Sequence, residues 1–296
     1  MAIKTKTGMG EAVKAVFWAG IIALGIRSFL FEPYHIPSDS MLPGLNVGDH
    51  LFVNKMAYGY SNRSMPFSPP VFGDRRILGR APERGDVIVF KKTKWHEDNY
   101  IKRLIGLPGD RIQVRRGILH INGKAVEREN AGRFFVLNLP MSRRGAKSIV
   151  IETNTGQTLT LVDGSRLYLS GRPLPRDEYT VAFKRHDYMG EVLELKRYIE
   201  VLPNGVRHQI IEYSDDVPMD NTAEYVVPED HYFMMGDNRD FSEDSREMEK
   251  VGFIPFKDLM GRAGIIFYSH NNSVRFWELW KCWKPIRYHR LLNRIR

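Results

Sequence analysis

Cysteine is nearly absent from the sequence, which has one such residue, Cys282, among 296. A single cysteine cannot form an intramolecular disulfide, and no cysteines and histidines have the close paired spacing of a structural zinc site. The sequence also lacks an H-E-x-x-H motif and a phosphate-binding P-loop. These absences argue against a disulfide-rich module, a zinc peptidase of that class and a P-loop nucleotidase. We predict neither a cofactor nor a metal ion.

The middle of the chain has almost no net charge, because its acidic and basic residues nearly balance, although the formal net charge of the whole chain is +9. Residues 1–14 hold three lysines against one glutamate, and residues 275–296 hold seven lysines and arginines against one glutamate. A nucleic-acid-binding protein is expected to spread its basic excess over a folded face rather than over two ends. We therefore predict contact with a membrane surface and no nucleic-acid partner.

Long hydrophobic runs are equally few, and the one that exists lies near the N-terminus. Residues 15–26 carry no charge, and the run extends to Phe31 with Arg27 as its one interruption. About 17 residues is at the short end for a membrane-spanning helix, and an arginine near its end can reach the membrane surface. We predict a cytoplasmic N-terminus and transmembrane anchor over residues 1–31, with the rest of the chain on the outer side, because lysines precede the run.

Two other interpretations of this run are a cleaved signal peptide and a buried helix. Cleavage is disfavoured because the small residues Ala23 and Gly25, which could form a cleavage site, lie inside the apolar run rather than after it.

Turn signals and short apolar segments dominate the rest of the chain and indicate a mainly antiparallel β fold. Three dipeptides have the signature of two-residue hairpin turns: Asn122-Gly123, Asp163-Gly164 and Asn204-Gly205. Residues 86–90 and 100–107 are predicted to form buried strands. Residues 61–82, with four prolines, are predicted to form a long irregular surface loop.

Two serines, Ser38 and Ser40, lie between Pro37 and Pro43 shortly after the apolar run. Each proline fixes its own φ and restricts the residue before it, so both hydroxyl groups are predicted to lie on a stiff, non-helical backbone. The same residue types also make ordinary turns, and taken alone the segment is better explained as a turn.

A serine becomes a nucleophile only with a partner that takes its proton: a histidine, a lysine or an N-terminal amine. The nine histidines are scattered and no G-x-S-x-G motif is present, which leaves lysine. Lys102 lies in an otherwise apolar strand, and alternation directs Lys102 and Arg103 to opposite faces, so at least one must be buried. A buried lysine has a lowered pKa and can be neutral, whereas arginine stays protonated. The alternative is a lysine that is ion-paired or extends to solvent.

The segment GDNRDFSEDSR (236–246) is dense in Asp, Asn, Arg and Ser. This composition is typical of a solvated loop or a calcium-binding loop, but the spacing does not match the EF-hand pattern. A buried polar network that positions a lysine uses the same residue types, and the residues alone leave these alternatives open.

Five segments together resemble the bacterial type I signal peptidases, a family of serine-lysine peptidases. The segments are FEPYHIPSDSMLPGL (31–45), RGDVIVF (84–90), YIKRLIGLPGD (100–110), GDNRDFSEDSR (236–246) and GRAGIIF (261–267). The resemblance implies a membrane-bound serine endopeptidase that removes signal peptides from exported preproteins after an Ala-x-Ala-like site. It also implies a place in the bacterial inner membrane, with the catalytic domain on the periplasmic side near the secretion translocon. The expected partners are preproteins and the lipid bilayer.

The resemblance also implies roles for individual residues of this sequence. Ser40 is the expected nucleophile and Lys102 the expected general base, while the Ser38 hydroxyl and the Ser40 backbone N–H form the oxyanion hole. The residues expected to support the site are Ser242, which holds the Lys102 amine, and Asp244 with Arg246, which brace it. The residues expected to contact substrate are Tyr34, Ile36, Tyr100 and Ile101.

For the domain organisation, the resemblance implies an antiparallel β catalytic core with a second, inserted β domain. The expected segments are residues 32–120 and 229–275 for the core, 121–228 for the inserted domain and 276–296 for a basic, Trp-rich C-terminal tail. The tail is expected either to pack as a terminal strand or to contact the membrane interface.

Two competing functions stay open from the sequence. A self-cleaving, repressor-type peptidase shares the serine-lysine chemistry, but it requires a DNA-binding domain where this chain has an apolar run. A single-span β module that tethers envelope partners needs no catalysis and leaves the lysine in an apolar strand unexplained. A mitochondrial-type relative is a further alternative to a bacterial one.

Overall fold

The N-terminal apolar run forms a helix. The computed structural model describes residues 9–65, 72–73, 75–91, 99–143, 146–184, 192–271 and 286–295. Helix α1 (Met9–Phe29) is exposed on almost every side, and Ser28 alone among its described side chains is buried. Its segment Gly10–Phe29 has 20 residues and a mean hydropathy of 1.5, which suits a membrane span by length and composition. The predicted N-terminal apolar helix is confirmed.

The described chain contains nineteen strands, and the predicted mainly β fold is confirmed. The strands are β1 (Phe31–His35), β2 (Asp49–Asn54), β3 (Val87–Lys91), β4 (Asn99–Gly106), β5 (Arg111–Arg115), β6 (Ile118–Ile121), β7 (Lys124–Ala125), β8 (Glu127–Pro140), β9 (Ser148–Glu152), β10 (Thr158–Val162), β11 (Arg166–Leu169), β12 (Arg172–Pro173), β13 (Tyr179–Lys184), β14 (Val192–Val201), β15 (Arg207–Glu212), β16 (Tyr225–Val226), β17 (His231–Met235), β18 (Ile254–Pro255) and β19 (Leu259–Ser269). Strands β3 and β4 correspond to the two predicted buried strands.

Seven strands form the principal sheet, in the order β1-β2-β19-β3-β4-β17-β18. Every pairing in it is antiparallel. Because β19 lies between β2 and β3, the late part of the sequence completes a sheet that the early part begins. Val53, Val89 and Ile266, from three different strands, pack in one buried apolar cluster of this sheet.

Three further sheets have four strands each and are built from the sequence between β4 and β17. Their orders are β16-β5-β6-β7, β13-β8-β14-β15 and β12-β11-β10-β9. The pairing of β8 with β13 is parallel and is an exception within the mainly antiparallel fold. Ile211 of β15 forms an isolated bridge with Asn238, so the sheet β13-β8-β14-β15 contacts the loop after β17. The predicted domain boundary at residue 121 falls at the end of β6, and the division into domains stays a prediction.

The three predicted hairpin turns differ in length. Asn122 and Gly123 form a two-residue turn between β6 and β7, with φ angles of 53° and 77°, as predicted. The other two turns span residues 163–165 and 203–205, so the predicted length of two residues is wrong for both. In the turn 203–205, Pro203 suits the first central position of a type I turn. Gly205 follows with a φ of 83°, and this third residue completes the turn.

The predicted loop and the predicted C-terminal tail are described in part. The described residues of 61–82 contain a short 3-10 helix and an isolated bridge, without a strand. Residues 286–295 pack against the core, where Arg290 forms an ion pair with buried Asp49 at 2.6 Å, and they contain a short 3-10 helix rather than a terminal strand. The tail tryptophans lie outside the described residues, so a membrane contact of the tail stays a prediction.

Candidate active site

Ser40 lies in the turn-rich segment between β1 and β2, with 7% of its surface exposed. The loop after β17 holds the backbone of this segment. The Asn238 N–H donates to the Ser40 carbonyl at 3.1 Å, and the Asn238 side-chain amide donates to the Asp39 carbonyl at 3.1 Å. The segment that holds Ser38 and Ser40 is therefore joined by hydrogen bonds to the Asp-rich segment 236–246.

Gly236 allows the two segments to approach this closely. A Cβ atom at this position would lie 2.1 Å from the Ser242 hydroxyl oxygen and 2.6 Å from the Ser40 carbonyl oxygen. Both distances are far shorter than an ordinary van der Waals contact, so only glycine fits here.

Lys102 lies in β4 opposite Ile88 of β3, and its side chain is buried. Its Nζ donates to the Oγ of Ser40 at 2.6 Å. On the other face of β4, Arg103 is also buried, because its guanidinium donates to both oxygens of the Asp237 carboxylate at 2.8 and 2.7 Å. Strand alternation required one of the two cations to be buried, and the structure buries both.

Burial lowers the pKa of Lys102 to about 8. The ammonium form loses its hydration in the protein interior, which is the largest cause of this shift. Asp244 and Glu243 favour the charged amine and offset part of the shift, while Arg246 disfavours it. A neutral amine is therefore available near pH 8, within hydrogen-bonding distance of a serine hydroxyl.

Ser38 and Ser40 face a common cavity of about 380 Å³, which Lys102 also lines. Ser38 is exposed, and its Oγ lies 3.4 Å from the Oγ of Ser40. The four residues predicted to contact substrate all line this cavity: Tyr34, Ile36, Tyr100 and Ile101. A larger cavity of about 750 Å³ lies around Arg84 and Arg207 and is not lined by either serine or by the lysine.

Asp244 and Arg246, the residues predicted to brace the site, form a buried ion pair. The Arg246 guanidinium donates to each carboxylate oxygen of Asp244 at 2.9 Å, and the Gly236 N–H donates to the same carboxylate at 3.0 Å. Burial alone would raise the pKa of Asp244, but the guanidinium holds that pKa below its usual value. The pair therefore fixes the loop that contacts Ser40.

Ser242 is buried, and its hydroxyl has no hydrogen-bond partner among the described residues. The hydrogen bond to the Lys102 amine that the family resemblance implies is therefore not formed in this structure.

A second set of buried charges lies behind the site. Arg239 donates to both oxygens of Glu200, in β14, at 2.6 and 2.5 Å. His208 Nε2, in β15, lies 3.4 Å from Glu200 and 3.9 Å from Asp237. Burial lowers the pKa of His208 well below its usual value, so its ring is neutral. In the sequence, Glu200 and His208 are polar residues of ordinary strands and no motif distinguishes them, whereas Arg239 and Asp237 belong to the segment 236–246.

Comparison with known proteins places the chain in a family. A family model described as "Signal peptidase, peptidase S26" matches residues 9–268. Signal peptidase I of Rickettsia typhi (strain ATCC VR-144 / Wilmington) is 32% identical over 259 residues, which are 87% of this chain and 78% of that protein. Signal peptidase I of Rickettsia akari (strain Hartford) is 33% identical over 280 residues, which are 93% and 86%.

A crystal structure of a signal peptidase I from Enterococcus faecalis V583 is 22% identical and has a TM-score of 0.27, covering 62% of this chain and 97% of that one. Family membership rests on the sequence matches, which extend over most of the chain and include the segments that hold both serines and the lysine. The resemblance stated from the sequence is thus confirmed: the chain belongs to the signal peptidase family, peptidase S26.

Proposed function

We propose that this chain is a membrane-bound serine endopeptidase that removes signal peptides from exported preproteins, with Ser40 as nucleophile and Lys102 as general base. The observation that carries the proposal is the 2.6 Å contact between Lys102 Nζ and Ser40 Oγ. Burial supplies the lowered pKa that a lysine needs to act as a base. The adjoining cavity supplies a place for the scissile bond.

Catalysis begins when neutral Lys102 takes the proton of Ser40 as its Oγ attacks the scissile carbonyl carbon. The oxyanion that forms accepts hydrogen bonds from the Ser38 hydroxyl and the Ser40 backbone N–H. The Lys102 ammonium then donates its proton to the leaving amine, and an acyl ester remains on Ser40. Lys102 next takes a proton from water as the water oxygen attacks the ester carbonyl carbon, and it returns a proton to Ser40 Oγ as the ester bond breaks and the acid product leaves.

Substrate specificity follows from the cavity and from two free strand edges beside it. β1 is an edge strand of the principal sheet, and β17 pairs with β4 only from Arg103 onward within the described residues. An extended peptide can therefore add its backbone to either edge. Successive side chains of such a peptide point to opposite sides, so every second one enters the small cavity. This arrangement supports cleavage after Ala-x-Ala.

The proposed location is the bacterial inner membrane, with α1 as a single span and the catalytic part on the periplasmic side. The exposed, apolar surface of α1 supports the span. Phe31 and Phe52, which are 43% and 40% exposed, lie close to the end of α1 with ring centroids 6.5 Å apart. Such exposed aromatic side chains favour a position at the lipid interface. Preproteins would reach this site on leaving the translocon.

The proposed domain organisation gives the inserted segment 121–228 a supporting role. Its strands β14 and β15 supply the buried Glu200 and His208 behind the loop 236–246. Ser242 is proposed to hold the Lys102 amine once substrate occupies the cavity.

The test is incubation of the detergent-solubilised full chain with a preprotein that carries an Ala-x-Ala site, followed by N-terminal sequencing of the product. A new N-terminus directly after the second alanine supports the proposal. Cleavage elsewhere contradicts the proposed specificity, and cleavage that persists in Ser40→Ala contradicts the proposed nucleophile.

A further inference from the structure

Three histidines from distant parts of the sequence meet at the rim of the cavity beside Ser40. His35 ends β1 and lines that cavity, His50 lies directly opposite it in β2, and His270 follows the last residue of β19. The ring centroids of His35 and His50 are 4.8 Å apart, and those of His50 and His270 are 5.5 Å apart. One ring nitrogen from each residue lies within 4.8 Å of the other two.

These imidazole groups are not committed to other polar partners. Their ring nitrogens make no hydrogen bond to a residue in the described part of the chain. The neighbouring carboxylate of Asp49 is already occupied, because Ser269 and Arg290 both donate to it at 2.6 Å. The cluster therefore presents several free nitrogen lone pairs and no carboxylate of its own.

We propose that His35, His50 and His270 form a binding site for one zinc ion. Three imidazole nitrogens with a fourth position open to solvent match the coordination that Zn²⁺ adopts, whereas Ca²⁺ and Mg²⁺ prefer oxygen ligands. Zn–N bonds of about 2.0–2.1 Å place the nitrogens roughly 3.4 Å apart, so the three rings must close from their separation of up to 4.8 Å, and the exposed His35 ring has room to rotate. The site departs from the absence of metal that the sequence predicted.

A bound ion would link the edge strand β1 to β2 and to the end of β19. Because His35 also lines the cavity, the ion would fix one rim of the cleft where the proposed substrate binds. Binding to the native state alone raises its stability, so zinc is expected to raise the melting temperature of the chain.

The first experiment is equilibrium dialysis of the detergent-solubilised full chain against Zn²⁺ at a fixed pH of about 7.5, because metal affinity depends on pH. We expect about one ion per chain. His50→Ala and His270→Ala should each weaken binding at least about tenfold, because even loss of a partner outside the ligand shell costs 10–100-fold. His231→Ala, which removes a histidine from β17, is the matched control and should bind as the native chain does.

Binding that is undiminished in both His50→Ala and His270→Ala overturns the proposal. Loss of binding in Cys282→Ser or His96→Ala would also overturn it, because such a loss would place the ion on residues other than the three clustered histidines. A second measurement guards against misfolded variants: zinc should raise the melting temperature of the native chain but not that of a folded His50→Ala chain. An equal rise in both would contradict the site. None of these outcomes depends on peptidase activity.

Discussion

The guanidinium of Arg239 donates two hydrogen bonds to the carboxylate of Glu200, and both side chains are almost fully withdrawn from water. Arg239 belongs to the loop that holds Ser40, whereas Glu200 lies in β14, within the sequence between β4 and β17. This pair therefore connects the candidate site to a sheet that carries no catalytic residue. Because each charge is buried, removal of one partner leaves the other uncompensated.

Glu200→Ala is expected to lower the free energy of unfolding by about 3–5 kcal/mol, since it leaves the buried Arg239 guanidinium without the carboxylate that accepts two of its hydrogen bonds. Urea unfolding of the chain in detergent measures this loss. Arg207→Ala is the matched control, because it removes an exposed ion pair with Glu129 and should leave the unfolding midpoint unchanged. Similar losses in the two variants would contradict the role given to burial.

Ser40→Ala and Lys102→Ala are each expected to reduce kcat at least about 10³-fold, because nucleophile and base act as a unit. Turnover of a preprotein by folded variants measures this loss. Ser148→Ala and Lys124→Ala change exposed residues away from the cavity and should retain native turnover. Near-normal turnover in either catalytic variant would remove that residue from the mechanism.

Ser38→Ala is expected to lower kcat by roughly 10–10³-fold with little change in KM, because it removes one hydrogen-bond donor to the oxyanion. Steady-state kinetics with a preprotein separates the two constants. If the loss lies in KM alone, Ser38 contacts the substrate in its ground state instead.

Peptidase activity is expected to rise with pH through about 8, because Lys102 accepts the serine proton only when neutral and its pKa is lowered to about 8. The profile of kcat/KM should then stay high at alkaline pH. Lys102→Arg should be inactive at every pH, since a guanidinium does not deprotonate. A profile governed by a group near about 6.5, the ordinary pKa of histidine, would instead favour a histidine as the base.

Lys102→Met is expected to stabilise the inactive chain at neutral pH, because it removes the cost of burying an ammonium group. The pKa of 10.5 in the unfolded chain and of about 8 in the folded one sets roughly 3 kcal/mol as an upper bound. Between these pKa values the unfolded chain binds more protons, so native stability rises with pH and the advantage of the variant shrinks. Urea unfolding at several pH values tests this, and a variant advantage that grows toward alkaline pH would contradict it.

The fold class and the N-terminal helix were predictable because they depend on local patterns: alternation, turn dipeptides and one uncharged run. The lengths of two hairpin turns were not, since a glycine with positive φ serves a two-residue turn and a three-residue turn alike. The parallel pairing of β8 with β13 joins segments that are not adjacent in sequence, and no local pattern specifies it.

The candidate site was predictable where short segments carry unusual chemistry, as at Ser40 and Lys102. The supporting charges were not, because Glu200 and His208 look like solvated strand residues until the fold buries them. Arg103 shows the same limit. Alternation places it on the face of β4 opposite to Lys102, but does not indicate that Asp237 lies against that face. The first and last of the three clustered histidines, His35 and His270, are 235 positions apart in the sequence, and only the pairing of β1, β2 and β19 joins the cluster.

The position of β19 between β2 and β3 has a consequence for the order in which a nascent chain acquires its chemistry. The ribosome makes the strands on both sides of β19 long before β19 itself, so β2 and β3 have no shared strand partner until residues 259–269 emerge. A chain still in synthesis therefore carries Ser40 and Lys102 before the sheet that spans both of them is complete. The proposed catalytic pair gains its complete sheet only after most of the protein has been made.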